Sequence, residues 1–182
     1  MKPHIVRLGR FQEMSRNDAD AIADLHTRSR QVAYRGLYGG AHLDHELFDV
    51  SRATWRKRFE DFDPTADLIL AAIDGGEPVG LAYASFRLNP EVGLLIDNLH
   101  VAPERKGGGL GTALMAEVAR WLIDEHAGAP LHLEVYAPNA DALVFYERKG
   151  GVEVARYAEV VPGGRRVDTV RYRWERPDAL LD

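Results

Sequence analysis

"VAPERKGGGLGTAL", residues 101–114, sets glycines at 107, 108, 109 and 111 directly ahead of a run with helical spacing. Glycine loses more backbone freedom on folding than any other residue, so this density requires a reason. One reason is a turn between two elements. The other is a bulky ligand lying against the backbone and leaving no room for side chains. A strand-to-helix junction offers free N–H groups and the positive end of a helix dipole, and pyrophosphate is an anion large enough to need the cleared space. Two familiar phosphate loops fail on spacing. A Walker A loop needs a lysine between its last glycine and Ser/Thr, and Gly111 is followed directly by Thr112. A dinucleotide fingerprint needs a glycine three residues after its second, and Thr112 stands there after Gly109.

Outward from this stretch the elements are legible. Upstream, "VGLLIDNLHV" (92–101) is short and apolar and reads as a strand. Downstream, "LGTALMAEVARWLIDEHAG" (110–128) places Leu110, Leu114, Val118 and Leu122 on one helical stripe, with Gly128 positioned to end it. "PLHLEVYA" (130–137) follows as a strand with Leu131, Leu133 and Val135 on one face and His132, Glu134 and Tyr136 on the other. Asn139 is placed to cap a helix over "ADALVFYERKG" (140–150). Towards the N-terminus, "HIVRLGRF" reads as a first strand, and a helix over 15–36 is capped by Ser15 or Asn17 and carries Ala21, Ile22 and Leu25 at helical spacing. A second helix covers 50–62, and two strands flank Asp74-Gly75-Gly76, a hairpin signal. Two last strands flank Pro162-Gly163-Gly164, another hairpin, and "ERPDALLD" reads as a short tail. Residues 36–50 are the one wide irregular region. The order β-α-α-β-β-β-α-β-α-β-β predicts a single α/β (α+β) domain over 1–182, a mixed sheet of about seven strands with helices packed on it. Its central strand–helix–strand unit is a natural right-handed crossover.

Bulk composition narrows the function classes. The 182 residues are 46% hydrophobic and 28% charged, ordinary for a soluble globular domain. The formal charge of -5 argues against a nucleic-acid partner. There is no cysteine, which removes disulfides, thiolate metal sites and a cysteine nucleophile together. The opening "MKPHIVRLGRF" lacks the apolar core of a signal peptide and no apolar run is long enough to span a bilayer, so a cytoplasmic protein without a membrane partner is expected.

"LHVAPERKGGGLGTALM" resembles the coenzyme-A motif of the GNAT N-acetyltransferases, a strand ending in Val-x-Pro followed by Arg/Gln-x-x-Gly-x-Gly/Ala. Val101 and Pro103 match, Lys106 takes the Arg/Gln position, and Gly109 and Gly111 are the motif glycines, with Gly107 the usual glycine after the basic residue. Lysine keeps the charge and loses the guanidinium fork; Arg105 could substitute. "LEVYAPNADALVFYERKGG" is similar to the family's second signature through Asn139, Ala142, Phe145, Tyr146, Lys149 and Gly150, with Gly151 where phenylalanine is usual. The resemblance is strong over about 95–151, and the element order agrees with the family's fold, a mostly antiparallel sheet with helices on both faces.

The resemblance implies acetyl-CoA as co-substrate, no metal, an amine acceptor and, in many members, a homodimer. It implies contacts to the coenzyme from the backbone at Leu99, His100 and Val101, from Lys106, Gly107, Gly108, Gly109, Leu110, Gly111 and Thr112, and from Asn139 and Tyr146. Splaying of the fourth and fifth strands to admit the pantetheine arm is likewise implied. Acetyl transfer needs the ammonium deprotonated, the carbonyl polarised and the departing thiolate stabilised. Tyr146 is the candidate acid, since a phenol near pKa 10 can share its proton with a thiolate whose thiol is near 8.5. Glu134 is the candidate base, at a spacing from Asn139 that resembles the ribosomal-protein N-terminal acetyltransferases; Asp97, or a base acting through water, competes. His100 alternates with Leu99 and Val101 and reads as a surface or substrate-side imidazole. The acceptor is expected at the first helices, the 36–50 region with Asp44, Glu46 and Asp49, and the last hairpin. A small amine is favoured over a peptide N-terminus, and a non-catalytic acyl-CoA-binding module is the alternative.

Overall fold

The computed structural model describes residues 3–9, 16–126 and 129–181. Its strands are β1 (His4–Leu8), β2 (Asp67–Asp74), β3 (Glu77–Ser85), β4 (Leu94–Val101), β5 (Leu131–Tyr136), β6 (Val152–Val160) and β7 (Arg166–Trp174). The helices are α1 (Arg16–Ala33), α2 (Leu47–Glu60), α3 (Leu110–Glu125) and α4 (Ala140–Arg148). All seven strands form one sheet in the order β1-β2-β3-β4-β5-β7-β6, antiparallel except for the β4–β5 pair. The expected mixed, mostly antiparallel sheet is what forms.

Gly75 and Gly76 turn β2 into β3 with φ of 62° and 89°, the left-handed pair that a tight hairpin with right-twisted arms requires. One face of the sheet buries Ile22 and Leu25 of α1 and Trp55 and Phe59 of α2 against Ile69, Leu81 and Tyr83. The opposite face buries Leu114, Val118 and Leu122 of α3 against Leu70, Leu94 and Leu133. Each such side chain, fully removed from water, contributes roughly 1.5–3 kcal/mol.

β4 and β5 pair only from Leu94↔Leu131 to Ile96↔Leu133. Beyond that point they part, and the register explains why. Against β3, Tyr83 faces Asn98 and Ala84 faces Ile96, so Asp97 is an extra residue in β4. Such a bulge bends its strand and increases the local twist. β4 therefore peels away from β5, and the β5-facing backbone between Asp97 and Val101 is left without a strand partner.

Several expectations are corrected. Residues 36–50 are not irregular throughout: the chain is helical from 40, passes through a π turn (His42–Glu46) and runs into α2, which begins earlier than expected. Leu43 and Leu47 drive this, being buried with Leu37, Val161 and Val167. The C-terminal residues are not a loose tail, since a 3-10 turn (Pro177–Leu180) docks Leu180 into the α3-side core, 1% exposed. Ser15 and Gly128 lie outside the described residues, and Asn17 lies inside α1.

Candidate active site

The parting of β4 and β5 opens a cleft of about 840 Å³ that is also lined from α1, the start of α3, α4 and the β6–β7 hairpin. The glycine-rich stretch forms one end. After a 3-10 turn (Pro103–Arg105), Arg105 is drawn to Asp74 at 2.6 Å, and Lys106 reaches the cleft with no ion pair among the described residues. Gly107 and Gly109 both take φ +79°, in the left-handed region, and Gly109 is the N-cap of α3. Gly111 has no such demand, and a Cβ there would make ordinary contact with Phe145, 3.5 Å from its Cζ. Gly108 has neither constraint: its nearest neighbour would be the Arg105 carbonyl oxygen at 3.6 Å. The two reasons for the glycines thus divide, with the turn accounting for 107 and 109.

No side chain caps α3, and its first intrahelical bond runs from the Ala113 amide to the Gly109 oxygen. The amides of Leu110, Gly111 and Thr112, residues that line the cleft, have no intrahelical partner and form a donor set suited to phosphate. Leu99 and Val101 line the same cleft with their side chains packed towards the α3-side core.

Asn139 stands at the N-cap of α4 without a side-chain cap bond, so its amide does not take the expected capping role, and the residue lines the cleft. Tyr146 also lines the cleft, 8% exposed, with its ring against Phe145, Tyr172 and Trp174. No described residue hydrogen-bonds its hydroxyl. Burial, with the nearby Tyr34, pushes the phenol above its ordinary pKa, so it remains protonated at neutral pH.

On the other side of the sheet, Glu134 is paired with Arg171, its register partner on β7, whose Nη2 and Nε donate to Oε1 at 2.7 and 3.0 Å. Asp97 is paired with Arg58 of α2, whose guanidinium lies over the Tyr83 and Trp55 rings and also donates to Asn98. His100 is half-buried and lines the cleft, the substrate-side of its two expected placements. It packs beneath α1, its Nδ1 3.0 Å from Ser29 Oγ and its ring 4.7 Å from that of His26, and burial lowers its pKa to about 3. The Trp55 indole N–H donates to His26 Nδ1 at 3.0 Å.

Sequence reasoning missed the residues at the far end of the cleft: Arg30, Tyr34, Tyr38, Tyr136 and Glu159. The Tyr38 and Tyr136 hydroxyls are 3.0 Å apart, and Arg30 lies over the rings of Tyr34 and Tyr38. Glu159 accepts from Thr169 and has no ion pair among the described residues. The one available signal was Arg30 and Tyr34 at i, i+4. Asp44 and Glu46 do not face the cleft; Arg35 and His42 hold them, each at 2.9 Å. Asp49 is outside it too.

The sequence model of the acetyltransferase (GNAT) family matches residues 21–151, well over half of the chain. The protein belongs to the GNAT family. That makes it an acyltransferase. No curated protein matches the sequence. Among solved structures the chain is similar to the PaiA N-acetyltransferase of Thermoplasma acidophilum in complex with coenzyme A, with TM-score 0.69 and 15% identity over 93% of this chain and 98% of that one. It is similar to the ribosomal-protein-S18-alanine N-acetyltransferase of Escherichia coli, with TM-score 0.67 and 20% identity over 94% and 92%. Mutant forms of the spermidine/spermine N-acetyltransferase SpeG of Vibrio cholerae give TM-score 0.67 and 20% identity over 98% and 96%. Identities this low establish the shared fold.

This GNAT chain departs from the family pattern at Gly151 for a steric reason. A Cβ there would meet Trp174 Cζ2 at 2.7 Å and the backbone carbonyl oxygen of Tyr146 at 3.0 Å. Trp174, held by its indole N–H to the Lys149 carbonyl at 2.8 Å, fills the space from β7 instead.

Proposed function

We propose that the protein transfers the acetyl group of acetyl-CoA to a small primary amine by direct attack. The observation that carries this is the cleft between β4 and β5, with uncapped α3 amides at one end and carboxylates and tyrosines at the other. The residues fit the coenzyme. The amides of Leu110, Gly111 and Thr112, with Lys106, suit a pyrophosphate, and Gly108 leaves its approach clear. The β5-facing side of β4 at Leu99, His100 and Val101, which has no strand partner, offers the hydrogen bonds of an edge strand to an amide-bearing pantetheine arm, and a donor to the acetyl carbonyl. Acetyl-CoA supplies an activated acyl group on a good leaving thiol. Glu134 accepts the amine proton through Oε2, the oxygen that Arg171 leaves free, and Tyr146 donates to the departing sulfur. The proposed route draws on no metal, and a cytoplasmic setting belongs to the same proposal.

A small acceptor is favoured because the two segments that bound the far end, the one after α1 and the β6–β7 turn, are tied to each other. The Gly39 amide donates to the Pro162 carbonyl at 3.0 Å, and Arg165 donates to the Gly36 carbonyl, tying the segment after α1 to the β6–β7 turn. Thiol release from acetyl-CoA across a panel of amines tests the proposal. Glu134→Gln should slow that release at neutral pH and leave acetyl-CoA affinity nearly intact; a large effect of Asp97→Asn alone would transfer the base to β4. Tight acetyl-CoA binding with no amine-dependent release would leave a non-catalytic acyl-CoA module.

A further inference from the structure

The charges around the acceptor end are unevenly satisfied. Arg58 is spent on Asp97 and Asn98, and Arg171 is spent on Glu134. Arg30 is different. Its guanidinium carbon lies 5.8 and 5.5 Å from the ring centroids of Tyr34 and Tyr38, so the group is held in place on two aromatic faces. One N–H reaches the Tyr38 hydroxyl at 3.4 Å, and that hydroxyl is already engaged with Tyr136. No carboxylate among the described residues pairs with Arg30, although it is partly buried and lines the cleft.

A half-buried, immobilised guanidinium with most of its N–H groups unused is a poor arrangement for stability alone and a good one for an anion. Its planar fork matches a carboxylate, to which charge-assisted bonds are roughly twice as strong as neutral ones. The sign and number of charges also discriminate. One unpaired arginine balances one negative charge, whereas a phosphate dianion would leave charge uncompensated beside Glu159. Glu159, with no ion pair among the described residues, lines the same cleft and draws an ammonium. Resting on the acetyl-transfer proposal for this cleft, we propose that the acceptor is an amino carboxylate, with its amine acetylated and its carboxylate held by Arg30. In the step, the amine nitrogen bonds to the acetyl carbon as the carbon–sulfur bond breaks. The ammonium first loses one proton to water by way of Glu134. As the neutral amine attacks, its second proton goes to Glu134 and Tyr146 shares its proton with the departing thiolate. The proton held by Glu134 returns through solvent to complete the thiol, and the carboxylate is unchanged in the N-acetyl product.

Matched pairs test this: phenylalanine against phenethylamine, and lysine against cadaverine, each assayed by thiol release from acetyl-CoA. The carboxylated member should have the higher kcat/KM by about 10- to 100-fold, the range expected for a hydrogen bond to a charged group. Arg30→Gln should erase that ratio mainly through KM, and Arg30→Lys should restore part of it. Equal or better turnover of the decarboxylated amines, or a ratio that Arg30→Gln leaves intact, overturns the proposal. Thermal shift of acetyl-CoA-loaded protein by the same pairs reads the contact without turnover. Absent thiol release with an Arg30-dependent shift for the amino acids would overturn acetyl transfer and keep the carboxylate site. No shift with either member of any pair would overturn the site.

Discussion

Tyr146→Phe removes one oxygen from the cleft wall, and the structure sets the size of both consequences. The ring is buried against Phe145, Tyr172 and Trp174, and those contacts survive the substitution. The hydroxyl has no hydrogen-bond partner among the described residues, so folding stability should change by less than about 1 kcal/mol. For turnover, burial places the phenol above its ordinary pKa of 10.0. A thiol sits near 8.5, so complete proton transfer to the thiolate is uphill by at least about 2 kcal/mol. Tyr146 then acts by sharing its proton as the carbon–sulfur bond lengthens, which puts its effect at the lower end of general acid catalysis, about 10²-fold in kcat. The assay is kcat by thiol release with a chemistry-limited amine, alongside the acetyl-CoA dissociation constant by titration calorimetry. The constant should hold, because the acid acts on the transition state. Because the pKa is raised, wild type should also show no alkaline loss from this phenol below about pH 9. Undiminished turnover, or a kcat/KM loss matched by weaker acetyl-CoA binding, refutes the acid.

The glycine-rich stretch yields a paired test. Gly109→Ala forces a Cβ into the left-handed region at φ +79° and should cost about 1–2 kcal/mol of stability, whereas Gly108→Ala should leave the melting temperature alone and weaken acetyl-CoA binding. Unaltered acetyl-CoA affinity in Gly108→Ala would mean that the glycines serve the turn only. His132 is buried with neither ring nitrogen in a well-formed hydrogen bond among the described residues, and burial, then the neighbouring Arg171, lowers its pKa from 6.5 to about 4. The unfolded chain takes a proton that the folded one refuses, so stability is full above pH 6.5 and falls as the pH drops towards 4, by about 2 kcal/mol between pH 7 and pH 5 from this group. His132→Leu should flatten that limb in urea titrations at the two pH values; an unchanged slope would show that His26 and His100 carry it.

What was legible in the sequence was what neighbouring residues decide. The α3 stripe of Leu114, Val118 and Leu122, the alternation along β5 and the two glycine hairpins each follow from a local period or a backbone requirement. Lys106, the glycines and Tyr146 were legible through resemblance, on motifs that lie wholly within one strand–helix unit. What was not legible depends on pairing across the chain. The Asp97 bulge has no mark in "LLIDNL", because an extra residue exists only relative to Tyr83 and Ala84 on β3. Arg105 looked as available as Lys106 until the β2–β3 hairpin brought Asp74 to it. Arg30 and Glu159 are far apart in sequence and line one cleft only because the sheet order sets β7 and β6 beyond β5.

The choice between Glu134 and Asp97 as base turns on how each is held. Both carboxylates are tied to an arginine, and each arginine engages one oxygen: Oε1 of Glu134 and Oδ2 of Asp97. Neither arginine engages the second oxygen, and the Tyr157 phenol lies beside the Glu134 carboxylate. The difference lies in the support. Glu134 and Arg171 are direct register partners in the β5–β7 ladder, so the same backbone hydrogen bonds that build the sheet set the direction of the free oxygen. Asp97 is the bulged residue of β4 and depends on Arg58, reaching across from α2 and also engaged with Asn98. A base must be fixed within a fraction of an ångström of its proton to be effective, and rigid strand pairing does this better than a bulge held by a long side chain. Arg171→Lys separates the two. It keeps the charge near Glu134 and loses the fork that orients it, so it should lower kcat with little effect on acetyl-CoA affinity if Glu134 is the base. An unchanged kcat would favour Asp97.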